Sequence, residues 1–357
     1  MKPELGVGVI GLGHAATCHL PAVMGLKPAR LVAVADTDST RLAAVAQRYG
    51  VKAAFQDYRR LLQFPGVDIV AILTPPASHA GLALAAMDAG KHIVLEKPIT
   101  ANLGDAQLLL ERSRRCGSKI CVAYTLRFVR QIQRLRQLLQ ADRLGNIEII
   151  RCLASMPYLQ EPRAGEHHKN PAADGGSVIE LGVHHYDLWT YLLGSQVAEV
   201  SGVSRSDAMP QQSTIIAGRM TCGTLVTTCM SLCAADQYEV EVLGSKGRAR
   251  VSLYKYDGLE VTSRSETAGD WRVRTAGIWR SFAELPAALR AQRAGGTFLE
   301  SFWGLWRHML HAVEHDLSPK PSLEEGLESL RVGVAAAEAV ETDATVRLGA
   351  KNETYGN

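Results

Sequence analysis

The chain holds 357 residues, 46% of them hydrophobic, with a formal net charge of +3. At roughly 150 residues per domain this makes about two domains, each large enough to bury a core without disulfide or metal. Charged residues make up 21% and are nearly balanced in sign, which excludes a disordered tail protein and a dedicated nucleic-acid binder. Cys18, Cys116, Cys121, Cys152, Cys222, Cys229 and Cys233 show no CxxC spacing and read as small buried hydrophobes. Met1–Glu4 leads straight into a short apolar run rather than a secretory segment, and no run approaches the ~18 apolar residues of a membrane helix. The expectation is a reduced, cytoplasmic protein without membrane or nucleic-acid partners.

In chain order, Leu5–Ile10 is an apolar run, followed by a glycine turn and a helical pattern over Ala15–Leu26. Leu31–Asp36 is a second run and Ser39–Tyr49 a second helix; Ile69–Leu73 and Ile93–Leu95 flank helical Ser78–Ala89. Leu103–Cys116 is helical again and Ile120–Ala123 a further strand. Continuous apolar strands separated by helices predict a doubly wound parallel sheet, an α/β architecture, over residues 1–124.

From residue 125 the texture changes. Phe128–Asp142 and Val178–Leu193 read as helices, then Thr214–Met220, Leu225–Ser231 and Tyr238–Leu243 alternate as half-buried strands. Gly244-Ser245-Lys246-Gly247 predicts a hairpin into Arg248–Leu253. Helical Leu323–Thr342 and a short Val346–Leu348 strand end the pattern. Residues 125–357 therefore read as an α+β domain with an open, mainly antiparallel sheet. Ser263–Gly296, with Trp271 and Trp279 among Arg and Gly, follows no clear pattern.

Gly11-Leu12-Gly13-His14-Ala15-Ala16 opens the first helix directly after the first strand. A tight turn at Gly11, close backbone approach at Gly13 and a small Ala16 form a dinucleotide fingerprint, with the helix N-terminus offered to a pyrophosphate. Asp36 ends the second strand, where a carboxylate can accept bonds from ribose hydroxyls. A 2′-phosphate beside it meets like charge, so NAD is preferred; Arg41, one turn on, leaves NADP possible. Thr37 adjoins Asp36. Thr74-Pro75, with His79 opening the next helix, and Glu96-Lys97-Pro98 end two further strands, where doubly wound sheets bind ligands.

Lys97 is a candidate for holding a substrate oxygen. Glu180 and His184, at i and i+4 after a glycine pair, share one helix face. An imidazole with an ordinary pKa near 6.5 suits proton removal from an alcohol. Gly182 in that helix costs about 1 kcal/mol relative to Ala, which implies a close approach to its backbone.

Gly11–Ala16, Asp36, Glu96-Lys97-Pro98 and Gly176–His184 together resemble the glucose-fructose oxidoreductase / inositol dehydrogenase (Gfo/Idh/MocA) family, and the similarity extends over nearly the whole chain. The resemblance implies an N-terminal Rossmann domain, a C-terminal α/β domain with an open sheet, and a homodimer or homotetramer. It implies Lys97 and His184 as the catalytic pair, with Glu180 standing where relatives usually carry Asp. Tyr124 and Arg127 match a substrate-lining region, and His185 and Asp187 flank it. The implied substrates are small polyhydroxylated molecules: sugars, sugar derivatives or cyclitols, oxidised or reduced at a secondary alcohol or ketone. Two rival readings share these residues: an NAD-dependent glycosidase using transient oxidation, and a non-catalytic NAD-binding regulator. His308, His311 and His315 share a helix face opposite its apolar stripe and read as solvated rather than as metal ligands; His167-His168 falls in a loop. No metal is expected.

Overall fold

The computed structural model describes residues 4–157, 178–179, 181–207, 211–253, 255, 258–264, 271–293 and 295–349. It divides into two compact units: Met1–Phe128 with Leu299–Leu330, and Val129–Phe298 with Arg331–Asn357.

In the first unit, strands β1 (Leu5–Ile10), β2 (Ala29–Ala35), β3 (Ala53–Phe55), β4 (Ile69–Ile72), β5 (His92–Leu95) and β6 (Ile120–Val122) form one sheet in the order β3-β2-β1-β4-β5-β6. Every pairing is parallel. Helices α1 (His14–Gly25), α2 (Ser39–Tyr49), α3 (Tyr58–Leu62), α4 (His79–Asp88) and α5 (Leu103–Ser113) connect the strands. Strands covered on both faces must be apolar throughout, and Ile69–Ile72 is buried at every position. Helix starts follow local chemistry: the Asp38 carboxylate accepts from Thr40 N and Arg41 N, and Gly50 closes α2 at φ 66°. The strand order reverses between β1 and β4, the edge at which sheets of this kind take ligands.

In the second unit, α6 (Arg130–Gln140), β7 (Ile147–Ser155), α7 (Gly182–Leu193), β8 (Val197–Arg205), β9 (Ser213–Met220), β10 (Leu225–Ser231), β11 (Gln237–Gly244), β12 (Gly247–Ser252), β13 (Leu259–Ser263) and α8 (Trp271–Arg293) follow one another. With β14 (Val346–Arg347) the strands order as β13-β12-β11-β7-β10-β9-β8-β14. Only β7–β10 is parallel; the other pairings are antiparallel. The sheet is open and mainly antiparallel, with Val203, Ile215 and Leu225 exposed on one face. The strand Ile147–Ser155, absent from the sequence pattern above, lies at the centre. Part of the unpatterned stretch 263–296 is α8, tied to α6 by Arg130 and Arg134 on the Glu284 carboxylate, while Trp271, Ile278, Trp279 and Phe282 stay exposed.

The chain then returns to the first unit. Phe302, Leu305, Trp306, Met309 and Leu310 of α9 (Thr297–Glu314) join the core cluster that holds Val7, Val9, Leu20 and Val34. A single boundary at 124/125 misses this return, because the apolar face of α9 finds its partner some 280 residues upstream. α10 (Leu323–Thr342) follows. Among the described residues no helix is long and apolar enough to cross a membrane.

Candidate active site

The glycine turn is built as its spacing predicts. Gly11 has φ +89°, and a Cβ there would lie 2.9 Å from the Leu73 carbonyl and 2.8 Å from Thr74 Cγ2. Gly13 caps α1 without any side-chain bond, and the first helical turn carries no acidic residue. The N–H groups of that turn have neither a side-chain cap from Gly13 nor an acidic side chain within the turn, and they fit a dinucleotide pyrophosphate. His14 is exposed, Ala15 half-buried, and Ala16 packs into the core.

Asp36 has a structural task as well as a candidate binding one. Its Oδ2 accepts from Leu12 N at 2.7 Å and its Oδ1 from Asp38 N at 2.8 Å, so the carboxylate holds the glycine turn against the end of β2. Each oxygen keeps further acceptor capacity for ribose hydroxyls. Arg41 lies 3.5 Å from Asp36 Oδ2 and 3.0 Å from Asp38 Oδ2, next to Gly13, whose Cβ position is 3.8 Å from Arg41 Nη1. Thr37 is exposed beside them.

At the end of β4, Ser78 Oγ bonds Thr74 Oγ1 at 2.7 Å and Pro75 O at 2.8 Å. His79 does not present itself to a ligand. It is fully buried, with Nε2 2.7 Å from Thr74 O and Nδ1 2.9 Å from Pro98 O. It clamps the loop after β4 to the loop after β5, which corrects its expected role as a cofactor contact. Burial pushes its pKa down.

Glu96 also turns inward. Its Oε1 meets His19 Nε2 at 2.9 Å and its Oε2 accepts from Lys97 N at 3.0 Å. Trp306 donates Nε1–H to His19 Nδ1 at 3.0 Å. Burial opposes ionisation of Glu96, but the His19 bond and the Lys97 charge hold its pKa below the ordinary value. Lys97 itself is half-buried.

Tyr124 is fully buried and Arg127 nearly so. Arg127 Nη1 lies 2.7 Å from Glu325 Oε1, while Glu325 Oε2 accepts from Ser322 N at 2.8 Å, the reciprocal arrangement of a capping box at the start of α10. Burial opposes ionisation here too, yet Arg127 holds the Glu325 carboxyl down at about 2. The guanidinium expected to meet substrate thus anchors a helix start.

In the second unit, His184 on α7 is half-buried with Nδ1 enclosed. Its neighbour His185 is fully buried, Nδ1 2.5 Å from Thr228 Oγ1 and ring edge-on to Tyr238; burial pushes its pKa down to about 3. Asp187 is buried as well. Gly182 has a local explanation: a Cβ would sit 2.5 Å from the Tyr186 hydroxyl, which donates to Val178 O at 3.1 Å. The close approach comes from a side chain of the same helix. Glu180, His167, His168 and the glycine pair lie outside the described residues. His308 Nε2 accepts from Lys320 N at 2.9 Å, so it braces a turn rather than standing in solvent. Among the described residues no group of three or more His, Cys, Asp or Glu is placed to hold a metal.

The model of the oxidoreductase family with an NAD-binding Rossmann fold (GFO_IDH_MocA) matches residues 5–124, and that of the family's C-terminal alpha/beta domain matches residues 136–348. The chain belongs to the Gfo/Idh/MocA oxidoreductase family. A myo-inositol 2-dehydrogenase of Thermotoga maritima is 26% identical over 96% of this chain and 98% of its own. An inositol 2-dehydrogenase of Rhizobium meliloti is 26% identical over 93% and 96%. In fold, the WlbA dehydrogenase from Bordetella pertussis, solved with NADH and UDP-GlcNAcA, superposes with a TM-score of 0.81 at 20% identity, covering 98% of this chain and 99% of that one.

This Gfo/Idh/MocA chain is an oxidoreductase with an NAD-binding Rossmann unit. His19, Trp306 and Glu325 escape a motif-based reading. The one local sign is His19 itself, a polar residue on the face of α1 that carries buried Ala16, Leu20 and Val23.

Proposed function

We propose that the chain oxidises a secondary alcohol of a sugar, sugar derivative or cyclitol, or reduces the corresponding ketone, with NAD preferred over NADP. The observation that carries this reading is the shared edge of one parallel sheet: the start of α1, which Gly13 leaves without a side-chain cap, the Asp36 carboxylate and the Lys97 loop all follow C-terminal ends of its strands. Relatives named as inositol dehydrogenases, alike over nearly the full length, support the cyclitol end of the substrate range.

The groups that would hold the cofactor are the Gly11–Ala16 turn for the pyrophosphate and Asp36, with Thr37 alongside, for the ribose. Arg41 beside Asp36 is the group through which NADP would be tolerated. Thr74, Pro75 and the Glu96-Lys97 segment would border the nicotinamide. Bound NAD supplies the hydride acceptor. His184 takes the hydroxyl proton, with Nε2 the assigned nitrogen because Nδ1 is enclosed. The Lys97 ammonium donates to a substrate oxygen and stabilises the charge that develops there. The family resemblance gives Glu180 the part of orienting the imidazole or accepting a neighbouring hydroxyl, and assigns Tyr124 and Arg127 to the substrate-lining region.

Turnover of cyclitols and sugars, followed at 340 nm with NAD and with NADP, tests the reading. Lys97→Ala is expected to lose about 10²-fold or more in kcat while NAD still binds by calorimetry. Wild-type turnover in Lys97→Ala would refute it.

A further inference from the structure

We propose that Trp306, His19 and Glu96 form a positioning relay that sets the direction and charge environment of Lys97, so that a helix near the C-terminus contributes to the reaction. The inference rests on the role of Lys97 proposed above.

The argument starts from what each group can do. An indole N–H only donates, so Trp306 Nε1, 3.0 Å from His19 Nδ1, makes that nitrogen the acceptor. A neutral imidazole then carries its proton on Nε2, which lies 2.9 Å from Glu96 Oε1 and donates to it. The second carboxylate oxygen receives the Lys97 backbone N–H at 3.0 Å. Because an indole cannot accept, the order of donors runs one way and the tautomer is locked. Phe302 holds the His19 ring edge-on at 4.9 Å between centroids, and both His19 and Trp306 have no exposed surface.

Packing alone gives no reason for this arrangement. The same face of α1 carries Ala16, Leu20 and Val23, and an aliphatic pair at positions 19 and 96 would spare the cost of desolvating an imidazole and a carboxylate. The relay ends on the peptide that precedes the Lys97 side chain, and it leaves an ionised carboxylate next to the ammonium. Both effects act on Lys97 through Glu96, which makes His19 and Trp306 positioning residues. Besides His19 and Lys97, the titratable groups whose charge couples to Glu96 are Cys18 on α1 and His79 at the start of α4.

The test combines kinetics with spectroscopy on the NAD-loaded enzyme. Nitrogen-15 shifts of His19 are expected to report a proton on Nε2 and a hydrogen-bonded, unprotonated Nδ1. Trp306→Phe keeps the ring and removes the donor; His19→Leu removes the relay. Both are expected to retain NAD affinity within about twofold and to lower kcat about 10- to 100-fold, the scale of a displaced reacting group. In His19→Leu the Glu96 carboxylate loses the bond that lowers its pKa, so the acid limb of kcat moves to higher pH. His19→Gln, whose amide still donates to Glu96, is expected to restore part of kcat and return the limb toward wild type. A proton on Nδ1, or wild-type kcat and acid limb in both Trp306→Phe and His19→Leu while Lys97→Ala is inactive, would overturn the relay alone. Wild-type turnover in Lys97→Ala would overturn the functional reading and the relay with it.

Discussion

Trp306 lies 287 positions from His19 in the chain and 3.0 Å from it in space, its indole N–H on the imidazole Nδ1. This contact joins α9 to α1 inside the first core, where Trp306 and Met309 have no exposed surface. Trp306→Ala would remove both the ring and the donor, so about 3–5 kcal/mol of stability is expected to be lost. Urea unfolding followed by circular dichroism measures it, and a change under 1 kcal/mol would mean that the core does not depend on α9.

Asp36 is bonded to the very turn it serves. Asp36→Asn keeps one acceptor oxygen for the turn but removes the negative charge beside Arg41. NAD affinity is expected to fall about tenfold, roughly one charge-assisted bond, while NADP affinity holds or improves. Calorimetric titration with both dinucleotides checks this; equal losses would argue that Asp36 acts on the turn and not on cofactor choice.

The Arg127–Glu325 pair predicts a pH-dependent deficit. Glu325 ionises at about 2 when folded instead of 4.5, so the stability it contributes is present above about pH 4.5 and is lost as pH falls toward 2. Arg127→Met strands the carboxylate and is expected to cost about 2–3 kcal/mol at pH 7, less than a fully buried orphan because Glu325 keeps some solvent access. The gap between variant and wild type should narrow below pH 4.5 in thermal melts. A deficit that grows on acidification would contradict the assignment.

His185 works with the opposite charge. Its folded pKa sits at about 3 against 6.5 for the free group, so the unfolded chain binds a proton that the folded chain refuses. Stability is expected to decline as pH drops below about 6.5. His185→Gln keeps a partner for Thr228 and does not titrate, so its melting temperature should fall less steeply between pH 6.5 and 4. Parallel slopes for the two proteins would rule His185 out as the source.

Legibility followed locality. The strands of the first sheet, the Gly11 turn and Asp36 were readable because apolar runs, a positive φ and a strand-end carboxylate are properties of short segments. β7 was not, because Ile147–Ser155 earns its central place from β10 and β11, which pair with it from far along the chain. The Arg127 ion pair was hidden for a related reason: its partner Glu325 is 198 positions away. Gly182 was legible as a close approach, but only the folded helix identifies Tyr186 as what approaches.

The amino-acid order by itself determined the two architectures and the chemistry at the dinucleotide edge, because periodicity and turn geometry are encoded within a few residues. Tertiary structure alone decided which polar groups face inward. It assigned His79 to a clamp, Arg127 to a helix cap and Glu96 to His19, since a buried hydrogen bond is chosen by distance in space and the desolvation it must offset, neither of which a linear sequence contains.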